Sequence, residues 1–160
     1  MAAELESEST NHEVWMREAL ILAEQAANAD EVPVGAIVVQ NGEIIGRGFN
    51  QSIQSCDATS HAEIVAIRSA SQFRNNYRLP GTTLYVTIEP CTMCLGAMIH
   101  ARVDRLVFGA TEPRAGAVVS QGSLIEAGYF NHQLSFVDGV LAEECSSLMQ
   151  SFFRNRRKAN

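Results

Sequence analysis

The chain predicts an α/β domain of three layers, α/β/α, around a central mixed sheet of about five strands. Three observations carry that expectation. Strand-like and helix-like runs alternate along the 160 residues, an Asn41-Gly42 pair joins two of the strands, and no internal repeat or linker divides the chain. Alternation of this kind places helices on both faces of one sheet. A chain of this length can bury a core without disulfides or other staples.

The elements follow in order. Residues 11–29 carry Val14, Ala19, Leu22 and Ala26 at helical spacing, with Asn11 as the expected N-cap. Residues 34–39 form a compact β-branched strand. Asn41-Gly42 is a two-residue hairpin signal, and 44–49 is the partner strand. The polar stretch 51–59 is a loop. From 60 to 73, Ile64, Ala66, Ile67 and Ala70 predict a helix, and Ser60 with Glu63 forms a capping-box pattern. A strand at 82–88 ends in Glu89-Pro90, and 91–101 is an apolar helix with Pro90 near its first turn. Residues 105–108 are a fourth strand. A long Gly- and Ser-rich loop with one short helical turn spans 111–125; loops of that length inside a compact domain usually serve function. A short strand at 134–137 and a helix at 141–157 close the chain. One domain is expected over 11–160, preceded by an acidic N-terminal segment, 1–10, open to disorder.

Composition narrows the class. Hydrophobic residues make up 46% and charged residues 19%, as in ordinary soluble domains. Residues 1–10 hold Glu4, Glu6 and Glu8 without an apolar stretch or an arginine, unlike a secretory or organellar leader. No run approaches the roughly 18 apolar residues of a membrane span. A cytoplasmic protein is expected. The net charge of −6 argues at first against a nucleic-acid partner, yet residues 1–31 hold eight acids and only Arg17 as base. The remainder is close to neutral, and Arg154, Arg156, Arg157 and Lys158 crowd into the tail. Screening confines surface charge to about 8–10 Å, so such a patch can bind phosphate on an acidic protein. It is equally what a solvated helix C-terminus prefers.

The four cysteines are Cys56, Cys91, Cys94 and Cys145. Without a secretion signal, the Cys91/Cys94 pair reads as metal or redox chemistry. Cys91 and Cys94 are i and i+3 in a first helical turn, so both sulfurs can face one point. The helix N-terminus favours their thiolates. His61 and Glu63 are i and i+2, about 200° apart in regular helix. They reach one site only if His61 stands at or before the first turn. One imidazole and two thiolates are donors that zinc prefers. No fourth ligand lies at ligand spacing, which leaves a position for water, as in a catalytic site. Glu63, a carboxylate that is not a ligand, suits proton transfer beside that water. Three other readings compete: a redox pair, half of a four-cysteine knuckle, and a structural zinc completed by Cys56, His100 or Cys145. The joint pattern, H-x-E opening one helix and P-C-x-x-C opening another, outweighs them because it is the signature of zinc-dependent nucleobase deaminases.

A longer resemblance follows from Glu31-Val32-Pro33-Val34-Gly35-Ala36, Gly48-Phe49-Asn50, His61-Ala62-Glu63-Ile64 and Tyr77-Arg78-Leu79. Thr83-Leu84-Tyr85-Val86-Thr87-Ile88-Glu89-Pro90-Cys91, Cys94-Leu95-Gly96-Ala97-Met98-Ile99-His100-Ala101-Arg102 and Phe152-Phe153-Arg154-Asn155-Arg156-Arg157 extend it. Over 13–158 the chain resembles the bacterial tRNA-specific adenosine deaminases. The resemblance implies a cytidine-deaminase-like fold, a homodimer, one Zn²⁺ per subunit, and conversion of the wobble adenosine of a tRNA anticodon to inosine. In that reading His61, Cys91 and Cys94 hold the zinc that activates water for attack on C6, and Glu63 shuttles protons. It also assigns Asn50 to the base, Glu112 to RNA near the target nucleotide, Phe152 and Phe153 to anticodon-loop bases, and Arg154 and Arg157 to phosphates. On residue type alone, Asn50 reads as a turn residue and one of the two phenylalanines as core.

The chain departs from the family pattern at Ala58 and Ser60, where proline and alanine are common. It departs again at Glu112 and Arg114, where aspartate and lysine are usual, and over 118–122. A free-base guanine or cytosine deaminase shares the zinc signature but has no use for the aromatic and basic tail. A non-catalytic RNA-binding subunit would tend to lack Glu63.

Overall fold

A computed structural model describes residues 2–159. Helix α1 (Ala2–Asn28) leads into the hairpin β1 (Gly35–Gln40) and β2 (Glu43–Phe49). Then come α2 (Ala62–Arg74), β3 (Thr83–Ile88), α3 (Thr92–His100), β4 (Arg105–Ala110), a 3₁₀ turn (Leu124–Ala127), β5 (Ser135–Val137) and α4 (Ala142–Ala159). The sheet has five strands in the order β2-β1-β3-β4-β5. β1 runs antiparallel to β2 and β3, while β3, β4 and β5 are parallel. This is the mixed α/β/α sandwich that the alternating pattern predicts.

Local chemistry accounts for the elements. Asn41 and Gly42 both take positive φ, 51° and 75°, as a primed two-residue turn requires. β3 and β4 are buried at every position after their first, because helices cover both faces of the sheet. The core joins Met16 and Ala19 of α1, Ile37 and Val38 of β1, Leu84 and Val86 of β3, Leu95 and Met98 of α3, and Leu106 and Phe108 of β4. α1 and α4 cover one face: Gly35 of β1 abuts the α1 backbone, and Gly109 of β4 abuts Cys145 of α4. α2 and α3 cover the other, with α2 lying directly on β2. Among the described residues no helix is long and apolar enough to cross a membrane.

Most element bounds lie within one or two residues of the sequence expectation, and three differences stand out. α1 runs through Asn11, which lies inside the helix instead of capping it. β4 extends two residues past the expected end, to Ala110, because its parallel pairing with β3 continues as far as Ile88. The difference that bears on the site is at the start of α2. Its N-cap is His61, not Ser60, and His61 makes no side-chain cap. The Ser60 hydroxyl, buried, donates back to Asp57 Oδ2 at 2.9 Å. The cap comes instead from Asn50, at the end of β2, whose Oδ1 accepts the Ala62 N–H at 2.8 Å.

Candidate active site

The site gathers at the first turns of α2 and α3. His61 precedes α2 in extended conformation (φ −72°, ψ 157°), and Cys91 precedes α3 in the same way (φ −79°, ψ 174°). Both are N-cap residues, so each leaves its helix laterally instead of following the 100° rotation per residue inside it. That frees His61 from the opposition to Glu63 that a regular helix would impose. α2 can reach this position because β2 presents Gly48: a Cβ there would collide with Ala62 O and Ala66 N of the helix. Glycine therefore sets how near the His61 end of α2 lies to the sheet.

The three expected ligands converge. His61 Nδ1 lies 3.6 Å from Cys91 Sγ and 3.5 Å from Cys94 Sγ. A tetrahedral zinc, with Zn–S about 2.3 Å and Zn–N about 2.0–2.1 Å, would hold such atoms about 3.6 Å apart. The donor set and its spacing fit zinc. Among the described residues this is the single cluster able to hold a metal, and its ligand atoms lie within 4.8 Å of one another. None of the candidate fourth ligands joins it. Cys56 is exposed in the loop before α2, His100 is exposed at the far end of α3, and Cys145 is buried on α4 against Gly109 of β4. The structural-zinc alternative loses its fourth ligand, and the site keeps an open position.

Electrostatics agree with that assignment. The hydrogen bond from Cys94 pulls the Cys91 thiol down to about 4, and Cys94, as the donor, is pushed up. His61 is raised, first through its hydrogen bond with Cys91 and against the effect of burial. These groups share protons that a metal displaces on binding. Glu63, the second residue of α2, is only 4% exposed. Burial pushes its carboxyl up to about 7, its own backbone N–H opposing and the Cys91 thiolate reinforcing the shift. A carboxyl poised near neutrality can both take and return a proton.

The residues assigned by resemblance divide in two. Glu112, just after β4, lines a groove of about 460 Å³ with Phe153, Arg154 and Arg157 of α4, floored by Ile88 and Ala110. Phe152 is not in it. One helical step turns Phe152 toward the end of α1, where it lines a separate hollow with Ala27 and Asn28, under the Arg156 guanidinium 5.1 Å from its ring centre. Neither phenylalanine is core: Phe153 is 38% exposed, and Phe152 is half-buried. Asn50 is half-buried beside α2, its carbonyl oxygen spent on the cap and its amide nitrogen without a hydrogen bond among the described residues.

Two buried carboxylates went unassigned in the sequence. Glu31, 2% exposed, accepts the N–H groups of Ile53 and Gln54 at 3.0 and 2.8 Å, pinning the loop that delivers His61. Glu89, 3% exposed, accepts bonds from the loop after β4. Burial alone would raise the Glu89 carboxyl; the Ser120 hydroxyl and the N–H groups of Val119, Glu112 and Ser120 outweigh it and hold it below the usual range. Both lie in the quoted motifs. The available signal was an acid set against apolar neighbours, which side-chain alternation alone does not interpret.

His61, Cys91 and Cys94 are placed to bind one zinc against a five-stranded mixed sheet, with Glu63 buried beside them, as fits a zinc-dependent deaminase of cytidine-deaminase-like fold. The profile of the cytidine and deoxycytidylate deaminase zinc-binding region matches residues 9–110. A tRNA-specific adenosine deaminase from Haemophilus influenzae is 49% identical, covering 91% of this chain and 85% of its own. A solved structure from studies of A-to-I editing by tRNA:A34 deaminases at the wobble position of transfer RNA superposes with a TM-score of 0.82, at 40% identity, over 84% of this chain and 97% of that one. A guanine deaminase structure from Bacillus subtilis matches over 62% of this chain and 64% of its own, with a TM-score of 0.60 and 40% identity. The chain belongs to the tRNA-specific adenosine deaminases.

Proposed function

We propose that this protein hydrolyses the wobble adenosine of a tRNA anticodon to inosine, with His61, Cys91 and Cys94 holding one zinc. The observation that carries the RNA half of this reading is the groove in which Phe153, Arg154 and Arg157 face Glu112. An exposed ring to stack on an unpaired base, beside two guanidiniums for phosphates, suits single-stranded RNA. A free base needs neither. The relatives' names support the same substrate, and the guanine deaminase likeness, over a smaller share of the chain, supports the shared chemistry.

Zinc, when bound, supplies a Lewis acid that makes water nucleophilic near neutral pH. The chain's own residues do the rest. Glu63 takes a proton and delivers it to N1 of the adenine, then passes a second to the departing ammonia. Asn50, its Oδ1 committed to the Ala62 N–H, offers its amide N–H groups to the base. Arg154 and Arg157 hold backbone phosphates, Phe153 stacks, and Glu112 orders the nucleotide next to the target. Phe152 we assign to anchoring α4 on α1 instead of to RNA. The same reading places the enzyme in the cytoplasm as a homodimer whose folded domain spans 11–160, with 1–10 as an acidic extension.

The deciding experiment is incubation of the zinc-loaded protein with an unmodified tRNA bearing A at the wobble position. Inosine at that nucleotide is expected. Deamination of free guanine or cytosine alone would replace this reading with the free-base one. Light scattering on the purified protein tests the dimer.

A further inference from the structure

We propose that Glu89 is a positioning residue that clamps the loop over 111–120 against the metal site and so sets the geometry with which Glu112 meets the substrate. The carboxylate is 3% exposed, is not among the metal-holding group, and receives five hydrogen bonds from one loop. Oε1 accepts the Glu112 N–H at 3.0 Å and the Ser120 hydroxyl; Oε2 accepts the N–H groups of Val118, Val119 and Ser120 at 3.0, 2.8 and 3.1 Å. Three consecutive amides aimed at one oxygen form a nest that favours an anion.

The loop is shaped around that anion. A Cβ at Gly116 would land on the Glu89 carboxyl group, so glycine is required for the loop to close over it. The next residue, Ala117, donates its N–H to Pro90 O at 2.9 Å, one position before the ligand Cys91. Glu89 is therefore the joint between the strand that delivers a zinc ligand and the loop that carries Glu112. Within that loop the Glu112 carboxylate in turn accepts the Arg114 N–H at 2.9 Å, which fixes the turn through Pro113. The clamp explains how a glycine-containing loop without regular structure holds one conformation beside the groove.

The kinetic part of this inference rests on the proposed RNA substrate; the structural part does not. In the zinc-loaded enzyme, Glu89→Gln and Gly116→Ala should each speed amide exchange at 118–120 by about tenfold or more, the loss of charge-assisted bonds. Exchange in β1 and β3 and zinc content near one per chain should stay as in the parent. With a stem-loop RNA bearing A at the wobble position, KM should rise about tenfold while kcat changes little, because a loosened Glu112 loop weakens binding. The double variant should do no more than the worse single, since both break one device. Should Glu89→Gln fail to fold, Gly116→Ala and Ser120→Ala test the same clamp. Unchanged exchange at 118–120 would overturn the proposal, as would loss of zinc in step with activity or a defect confined to kcat. If the parent forms no inosine in RNA, the substrate reading fails, and exchange alone decides the clamp.

Discussion

Glu63 and Asn50 each combine two demands in one side chain, and substitution can separate them. Glu63 is buried beside the ligand thiols, and its carboxyl is pushed up to about 7, so it can carry protons in both directions. Glu63→Gln keeps the shape and hydrogen-bonding capacity but cannot shuttle. Turnover should fall about 10²–10⁴-fold, with zinc still near one per chain by metal analysis; retained turnover would exclude Glu63 as the proton carrier. Asn50 caps α2 through Oδ1, and in the proposed mechanism its amide nitrogen is what meets the base. Asn50→Ala should cost about 1 kcal/mol of stability from the lost cap, read as a lower denaturant midpoint. Asn50→Asp keeps an oxygen at the cap and adds a charge that a helix N-terminus favours. It should therefore retain the parent's midpoint yet lose activity. If both properties survive in the aspartate variant, the amide has no part in substrate binding.

At the scale of elements, the zinc centre depends on how two helices are set against the sheet. Gly48 lets α2 lie with its Ala62 carbonyl and Ala66 amide against β2. Gly48→Ala should push the N-terminal turn of α2 outward, lowering stability by about 1–3 kcal/mol and weakening zinc retention under chelator challenge relative to the parent. Unaltered zinc retention would mean that His61 tolerates a shift of its helix. Element order, strand identity and the clustering of His61, Cys91 and Cys94 were legible because hydrophobic period, the Asn41-Gly42 turn and ligand chemistry are local signals. The cap of α2 was not. Ser60 fits the sequence pattern, but Asn50 fills the role from another strand, which only the packing of α2 on β2 reveals. The same holds for Phe152 and Phe153. Their adjacency shows that they face different ways, yet which one faces the groove depends on where α1 and the 111–120 loop lie. Glu31 and Glu89 escaped for a related reason, since their partners are backbone amides 22 to 31 residues away.

On the scale of the whole molecule, an acidic protein must present a polyanion with a locally basic surface. The net charge is −6, and eight of the acids fall within residues 1–31. Arg154 and Arg157 instead project from the exposed end of α4 into the groove with Glu112. Attraction at that groove is short-ranged, because charges more than about 8–10 Å away are screened at physiological salt. Binding should therefore track the local cations and not the net charge. Two phosphate contacts to a single strand release counterions with a combined slope of about −1.4 in log K against log salt. Arg154→Ala with Arg157→Ala should weaken stem-loop RNA binding most at low salt and make that slope shallower by about 1.4. Phe153→Ala should weaken binding by about 1–3 kcal/mol, as loss of one stacked base predicts, and leave the slope as it was. Fluorescence titrations over a range of potassium chloride concentrations read both. An unchanged slope in the double arginine variant would place the phosphates elsewhere on the molecule. A changed slope in Phe153→Ala would mean that the ring positions the guanidiniums instead of holding a base.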